Sequence, residues 1–146
     1  MSTLSLREFA GHLTEIMSVI IKEFLKYQTG EFYKTRITLP QFFVMDMLNR
    51  RGESRMTDLA RFINVTTAAM TGVVDRLVRD GYAMRTSDPN DRRIIKIRLT
   101  PKGDRTVKRI IERRRQMIMK IFGMISQAER EEYLKILTHI RDRLKE

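Results

Sequence analysis

Two short amphipathic segments separated by about three residues constrain this chain more than any other feature of it. In 56–63, Leu59, Ala60 and Phe62 or Ile63 recur at helical spacing. Asn64 then stands where a left-handed residue closes a helix, and Thr66 where an N-cap opens the next. Met70, Val73, Val74 and Leu77 carry the period on to about Asp80, and Gly81 is placed to stop it. So short a link forces a sharp corner, which predicts a helix-turn-helix. A hairpin follows at once. Tyr82 to Thr86 is extended in character, Asp88-Pro89-Asn90-Asp91 is turn chemistry, and Ile94 to Thr100 alternates. The alternation predicts Ile95, Ile97 and Leu99 facing inward, with Lys96 and Arg98 facing out. A helix-turn-helix followed directly by a basic hairpin is a winged helix.

The flanks read as helices. Residues 4–27 place Leu6, Phe9, Leu13, Ile16, Met17, Ile20 and Phe24 on one broad stripe, with Gly30 just past the end. Pro40 suits the first turn of a helix running to about Arg50, and Gly52 ends it. Thr100-Pro101 opens a long helix to about Gly123. The Ser126–Glu129 capping box opens a last one through Leu144, with Tyr133, Leu134, Leu137 and Ile140 on one face. The expected fold is mostly α with a small β-hairpin wing. It forms a single domain over 1–146, with a winged lobe at about 38–103 and terminal helices at about 4–28 and 101–145. A small domain has little with which to cover such wide terminal stripes, so they point to a partner chain.

Charge narrows the function. Lys and Arg number 29 against 18 acids. Residues 50–115 hold 18 of the bases and 8 of the acids, so nearly all the excess lies in the middle of the chain. A concentrated positive field suits a polyanion, most often nucleic acid. The absence of cysteine excludes disulfides, zinc–thiolate sites and thiol catalysis. Two histidines, His12 and His139, make a poor metal site, and no acids, bases or nucleophile converge as an enzyme would need. No cofactor or metal is therefore expected. No signal-peptide pattern opens the chain and no apolar run approaches membrane-spanning length, so a cytoplasmic protein without a membrane partner is expected.

The stretch Leu39 to Gly103 resembles the multiple-antibiotic-resistance regulator (MarR) family of winged-helix transcription factors. The resemblance is carried by LPQFFVMDML, MTDLARFINVTTAAMTGVVDRLVRDGYAMR and DPNDRRIIKIRLTPKG. Asp91 and Arg93, followed by a strand that ends in Leu-Thr-x-x-Gly, form its most distinctive signature. The resemblance implies a homodimer built from the first and last two helices, regulating transcription.

Candidate DNA contacts follow from the winged-helix logic. The second helix of the motif enters the major groove and the hairpin reaches the adjacent minor groove, where Arg is favoured. Thr66 caps that helix and its end can meet a phosphate. Thr67, Ala69 and Thr71 lie in its first turns, where small side chains allow deep entry and Thr can read a base edge. Arg76, further along, would face a phosphate or a base-pair edge. Asp75 is placed to pair with Arg79 along the helix. Some family members carry Arg at the position of Gly72, so sequence preference here must come from Thr67, Thr71 and their neighbours, or from DNA shape. Arg92 and Arg93 occupy the hairpin tip. Arg93 matches the family's minor-groove arginine, and Asp91 resembles its orienting partner. Lys96 lies on the outer face of the strand. Arg55 stands where the family often has a capping Thr or Ser, which leaves Ser54 to cap and Arg55 for phosphate. Many relatives respond to a small ligand, often an aromatic acid, and Met17, Phe42, Phe43 and Met45 are candidates to line its pocket.

The function expected is a sequence-specific regulator, a ligand-responsive repressor acting as a homodimer on a pseudo-palindromic operator of double-stranded DNA. The alternative is a non-specific or architectural DNA binder without an effector.

Overall fold

The computed structural model describes residues 4–28 and 35–146. The expected helix stop at Gly30 lies outside them. In chain order the elements are α1 (Leu6–Gln28), α2 (Leu39–Arg51), β1 (Ser54–Arg55), α3 (Met56–Ile63), α4 (Thr67–Arg79), β2 (Ala83–Ser87), β3 (Ile95–Leu99), α5 (Pro101–Phe122) and α6 (Gln127–Arg143). They fall into two compact units, one of the described residues up to Ile111 and one of Glu112–Glu146.

In the first unit, α2 begins one residue before Pro40, because Thr38 and Gln41 close a reciprocal capping box. The Gln41 N–H donates to Thr38 Oγ1 and the Thr38 N–H to Gln41 Oε1. Phe42, Val44, Met45, Met47 and Leu48 then enter the core. Gly52, at φ 77°, turns the chain and donates its N–H to the Leu48 carbonyl.

β1 is an element that periodicity did not reveal. It pairs antiparallel with β3, giving a three-stranded sheet of order β1-β3-β2. Ser54 faces Ile97 and Arg55 faces Lys96. A strand of two residues has no alternation to detect. It also corrects the expected cap of α3. Ser54 is buried in the strand and donates its hydroxyl to the Gly52 carbonyl, so the N-cap position falls to Arg55, which makes no side-chain cap bond.

The corner between α3 and α4 follows the sequence. Asn64 is left-handed at φ 60°, ψ 51°, and Thr66 Oγ1 accepts the Ala69 N–H at 3.1 Å. Leu59, Ala60, Met70, Val74 and Leu77 pack with the α2 residues, with Ile97 of β3 and with Val107 and Ile110 of α5. Ile95 departs from expectation: it is 40% exposed, while Ile97 is fully buried and Leu99 half-buried. Ile95 pairs with Ser87 on the outermost rung of the hairpin, one pleat beyond the rung that the core covers.

The Leu-Thr-x-x-Gly run has a structural cause. Thr100 donates its hydroxyl to the Gly81 carbonyl at 2.6 Å and accepts the Gly103 N–H at 3.0 Å. Its own N–H donates to the Tyr82 carbonyl. This clamps the start of α5 onto the backbone that leads into β2. A Cβ on Gly103 would lie 1.9 Å from the Tyr82 carbonyl oxygen and 2.8 Å from its carbon. Gly103→Ala is therefore expected to destabilise the fold by at least about 1–3 kcal/mol. Gly72→Ala, on the open face of α4 with nothing within 4 Å of the new Cβ, is expected to leave stability equal or higher. Thermal melts of the two variants check this. Equal melting temperatures would mean that the close approach at Tyr82 imposes no constraint.

In the second unit, Ser126 and Glu129 cap α6 as the sequence predicts. The Ser126 hydroxyl and N–H hold the Glu129 carboxyl below the usual carboxylate range. Arg130 donates to the Phe122 and Ile125 carbonyls, and the Phe122 and Tyr133 rings lie 5.3 Å apart. α6 buries none of its residues, and Tyr133, Leu134, Leu137 and Ile140 stay exposed. The stripe on α1, including Phe9, Leu13 and Ile16, is exposed as well.

Candidate nucleic-acid interface

Helix α4 turns Met70, Val74 and Leu77 inward, so the opposite side of its first turns is presented to solvent. Thr67, Ala69, Thr71 and Arg76 are all exposed there. The Thr66 hydroxyl is occupied by its cap. Thr71 donates its hydroxyl to the Thr67 carbonyl at 2.9 Å, so it offers its methyl group and a lone pair outward. The Thr67 hydroxyl has no partner among the described residues.

The loop between β2 and β3 is built by two aspartates. Asp88 Oδ1 accepts the Asn90 N–H at 2.8 Å, and Asp91 Oδ1 accepts the Arg93 N–H at 3.0 Å. The Asp91 carbonyl also accepts the Ile94 N–H. Asp91 therefore fixes the backbone of Arg93 and leaves the guanidinium outside its grasp.

The pairing of the cations divides the basic region. Arg50 is bonded to Asp46, Arg61 to Asp58, Arg79 to Asp80, Lys108 to Asp104 and Arg115 to Glu112. Asp75 bonds Arg85 of β2 in place of the expected Arg79, because the strand brings that guanidinium to the flank of α4 while Arg79 turns to its neighbour Asp80. By contrast, Arg55, Arg76, Arg92 and Arg93 are exposed and meet no carboxylate among the described residues. Unpaired arginines on a helix that offers small side chains, and at the tip of a projecting hairpin, can bind an anionic backbone without first breaking an ion pair.

Lys96 stands apart from those four. Its Nζ lies 2.8 Å from Asp88 and 3.7 Å from Glu53, and Thr86 donates its hydroxyl to Glu53 at 3.0 Å. The bonds from Lys96 and from the Asn90 N–H hold the Asp88 carboxyl below its ordinary range, and Asp88 in turn raises Lys96. A depressed carboxyl stabilises the fold above its unfolded value and loses that contribution as pH falls through the folded one. The pair is thus intact at neutral pH. Sequence reasoning missed Glu53 and Asp88 in this role, since only the sheet register brings them to one lysine.

Of the candidate pocket residues, Phe42 and Met45 are core, whereas Phe43 and Met17 are 40% and 37% exposed. Among the described residues, no group of three or more His, Asp or Glu is arranged to hold a metal, and no helix is long and apolar enough to cross a membrane.

Residues 37–95 match the model of the MarR family. The chain is 27% identical over 109 residues to the HTH-type transcriptional regulator YsmB of Bacillus subtilis (strain 168), covering 75% of each chain. It is also 27% identical over 96 residues to the HTH-type transcriptional repressor MdtR of the same organism, covering 66% of this chain and 62% of that one. Its fold matches a MarR family protein from Bacillus stearothermophilus with a TM-score of 0.81 at 21% identity, over 99% of this chain and 100% of that one. It also matches FabT of Streptococcus pneumoniae, solved in complex with DNA, with a TM-score of 0.79 at 22% identity, over 97% and 98% of the two chains.

Proposed function

The chain belongs to the MarR family, and from that premise we propose that it acts in the cytoplasm as a homodimeric transcriptional repressor that binds a pseudo-palindromic operator of double-stranded DNA and responds to a small ligand. Members of the family are transcriptional regulators and not enzymes. The observation that carries the DNA reading is the placement of four exposed arginines without a carboxylate partner, Arg55, Arg76, Arg92 and Arg93, together with the small residues Thr67, Ala69 and Thr71 on α4. In this reading α4 enters the major groove, with Thr66 at its capped end beside a phosphate, and the hairpin loop shaped by Asp91 enters the minor groove. The FabT structure, a DNA complex of the same fold, supports DNA as the partner.

The dimer is supported by the apolar stripes that α1 and α6 leave exposed, since large unpartnered patches mark interfaces. Two-fold symmetry would set two copies of α4 about one turn of DNA apart, hence a near-palindromic site. The ligand response rests on the family and on the part-exposed Phe43, whose ring lies 6.0 Å from that of the core residue Phe42, with Met45 and Met17 as further candidates.

Genomic fragments selected by the protein, competed against bulk DNA, test this reading, with sedimentation to give the oligomeric state. The expected result is a dimer at micromolar concentration that prefers an inverted repeat by about 10³-fold or more over bulk DNA. Equal affinity for all sequences would identify an architectural binder, and a stable monomer would refute the dimer.

A further inference from the structure

Lys96 sits at the foot of the wing, between two acids that come from different parts of the lobe. Glu53 precedes β1 and belongs to the helix-turn-helix body. Asp88 follows β2 and opens the hairpin loop. Lys96 Nζ reaches both, at 3.7 Å and 2.8 Å. Thr86, the residue paired with Lys96 across the sheet, closes the remaining side through its hydroxyl bond to Glu53. Asp88 uses its second oxygen to hold the Asn90 N–H. One continuous set of contacts therefore runs from the body of the lobe, through a single ammonium, into the turn that carries Arg92 and Arg93.

Three facts separate Lys96 from those arginines. Its side chain is 27% exposed and that of Asp88 14%, so the pair is half sheltered. One ammonium facing two carboxylates adds no net positive charge toward DNA. The cluster also lies where the hairpin leaves the core, between the buried rung of Ile97 and the exposed rung of Ile95. A hairpin pivots most readily at that point, since none of the residues beyond it among 87–95 is buried in the core.

We propose that Lys96 is a positioning residue for DNA recognition: by tying Asp88 to Glu53 it fixes the angle at which the hairpin loop presents Arg92 and Arg93, and it makes no phosphate contact of its own. The proposal rests on the reading of the hairpin as a DNA-binding wing.

The free, full-length protein gives the first test. Backbone amide relaxation is expected to show increased mobility at residues 89–93 in Lys96→Met, with α4 unchanged and with rigidity retained in Lys96→Arg. Unchanged relaxation in Lys96→Met would overturn the proposal whether or not the protein binds DNA. Binding to a random-sequence duplex gives the second. Lys96→Met is expected to weaken it about tenfold. On a background of Arg92→Ala and Arg93→Ala, the same change should cost no more than about twofold, because a group that acts through the tip has nothing left to position.

Asp88→Asn supplies a sign. It keeps the oxygen that holds the Asn90 N–H and removes the charge that holds Lys96. If Lys96 positions the tip, Asp88→Asn weakens binding even though an acid has been removed. Tighter binding by Asp88→Asn, or a full tenfold loss from Lys96→Met on the double-alanine background, would make Lys96 a direct phosphate contact. Should Lys96→Met fail to fold, Asp88→Asn carries the relaxation and binding tests alone. A wild-type protein that binds no duplex would sink the DNA reading, and the relaxation comparison would still decide the role of Lys96.

Discussion

Arg93→Ala is expected to weaken DNA binding a hundredfold or more while leaving the melting temperature nearly unchanged. Its side chain is exposed and meets no carboxylate among the described residues, so little of the fold depends on it. Its backbone N–H is held by Asp91, a bond that alanine retains, so the loop keeps its shape. What is lost is a guanidinium at the end of the hairpin, where a narrow minor groove concentrates negative potential. Such a contact contributes about 1–3 kcal/mol per site, and a dimer uses two. Thr67→Ala is expected to differ in kind. Its hydroxyl has no partner within the described residues and sits in the first turn of α4, so its removal should change which sequences are preferred, with little effect on random DNA. Titration of both variants on selected and random duplexes separates the two behaviours. Binding by Arg93→Ala at the wild-type level would remove the hairpin from the interface.

Much of this architecture was legible because it is written in local signals. The corner between α3 and α4 needs one left-handed residue and one cap, and Asn64 and Thr66 supply them within three positions. The Asp-Pro-Asn-Asp loop is fixed by side chains bonding to the backbone two residues on, which is local chemistry too. What stayed hidden depends on contacts distant in sequence. β1 is too short for a period and exists because β3 offers it an edge. Ser54 has the composition of a cap, yet pairing with Ile97 takes it into the sheet. Asp75 has a helical partner at the right spacing, yet Arg85 reaches it from β2. Ile95 keeps the alternation of its strand, but alternation specifies a face and not how far the core extends beneath it. The same limit applied to the site. The sequence located the basic surface, and only the pairing of its acids separates cations free to meet phosphate from cations already engaged.

That separation sets the size of the salt effect. If all 18 bases of residues 50–115 met phosphate, a dimer would make about 36 contacts and the slope of log affinity against log salt would be about 32. Arg50, Arg61, Arg79, Arg85, Lys96, Lys108 and Arg115 are bonded to acids, and each would have to give up a partner before neutralising a phosphate. Arg55, Arg76, Arg92 and Arg93 would not, and neither would Arg51, Arg98, Lys102 and Arg105, which are exposed and meet no carboxylate among the described residues but lie outside α4 and the hairpin tip. The four assigned to the interface, Arg55, Arg76, Arg92 and Arg93, give about eight phosphate or groove contacts in a dimer, and affinity is then expected to fall by about 10³–10⁵-fold between 50 and 200 mM salt. Each contact contributes about 0.9 to the slope of log affinity against log salt, so Arg93→Ala should make that slope shallower by about 2 per dimer. Asp75→Asn should leave the number of contacts close to unchanged, unless the freed Arg85 turns to the DNA and steepens the slope. Titrations at four or more salt concentrations give the slope directly. A slope near zero would mean that the unpaired arginines do not meet the DNA backbone, and the charge of this lobe would then need another polyanion to account for it.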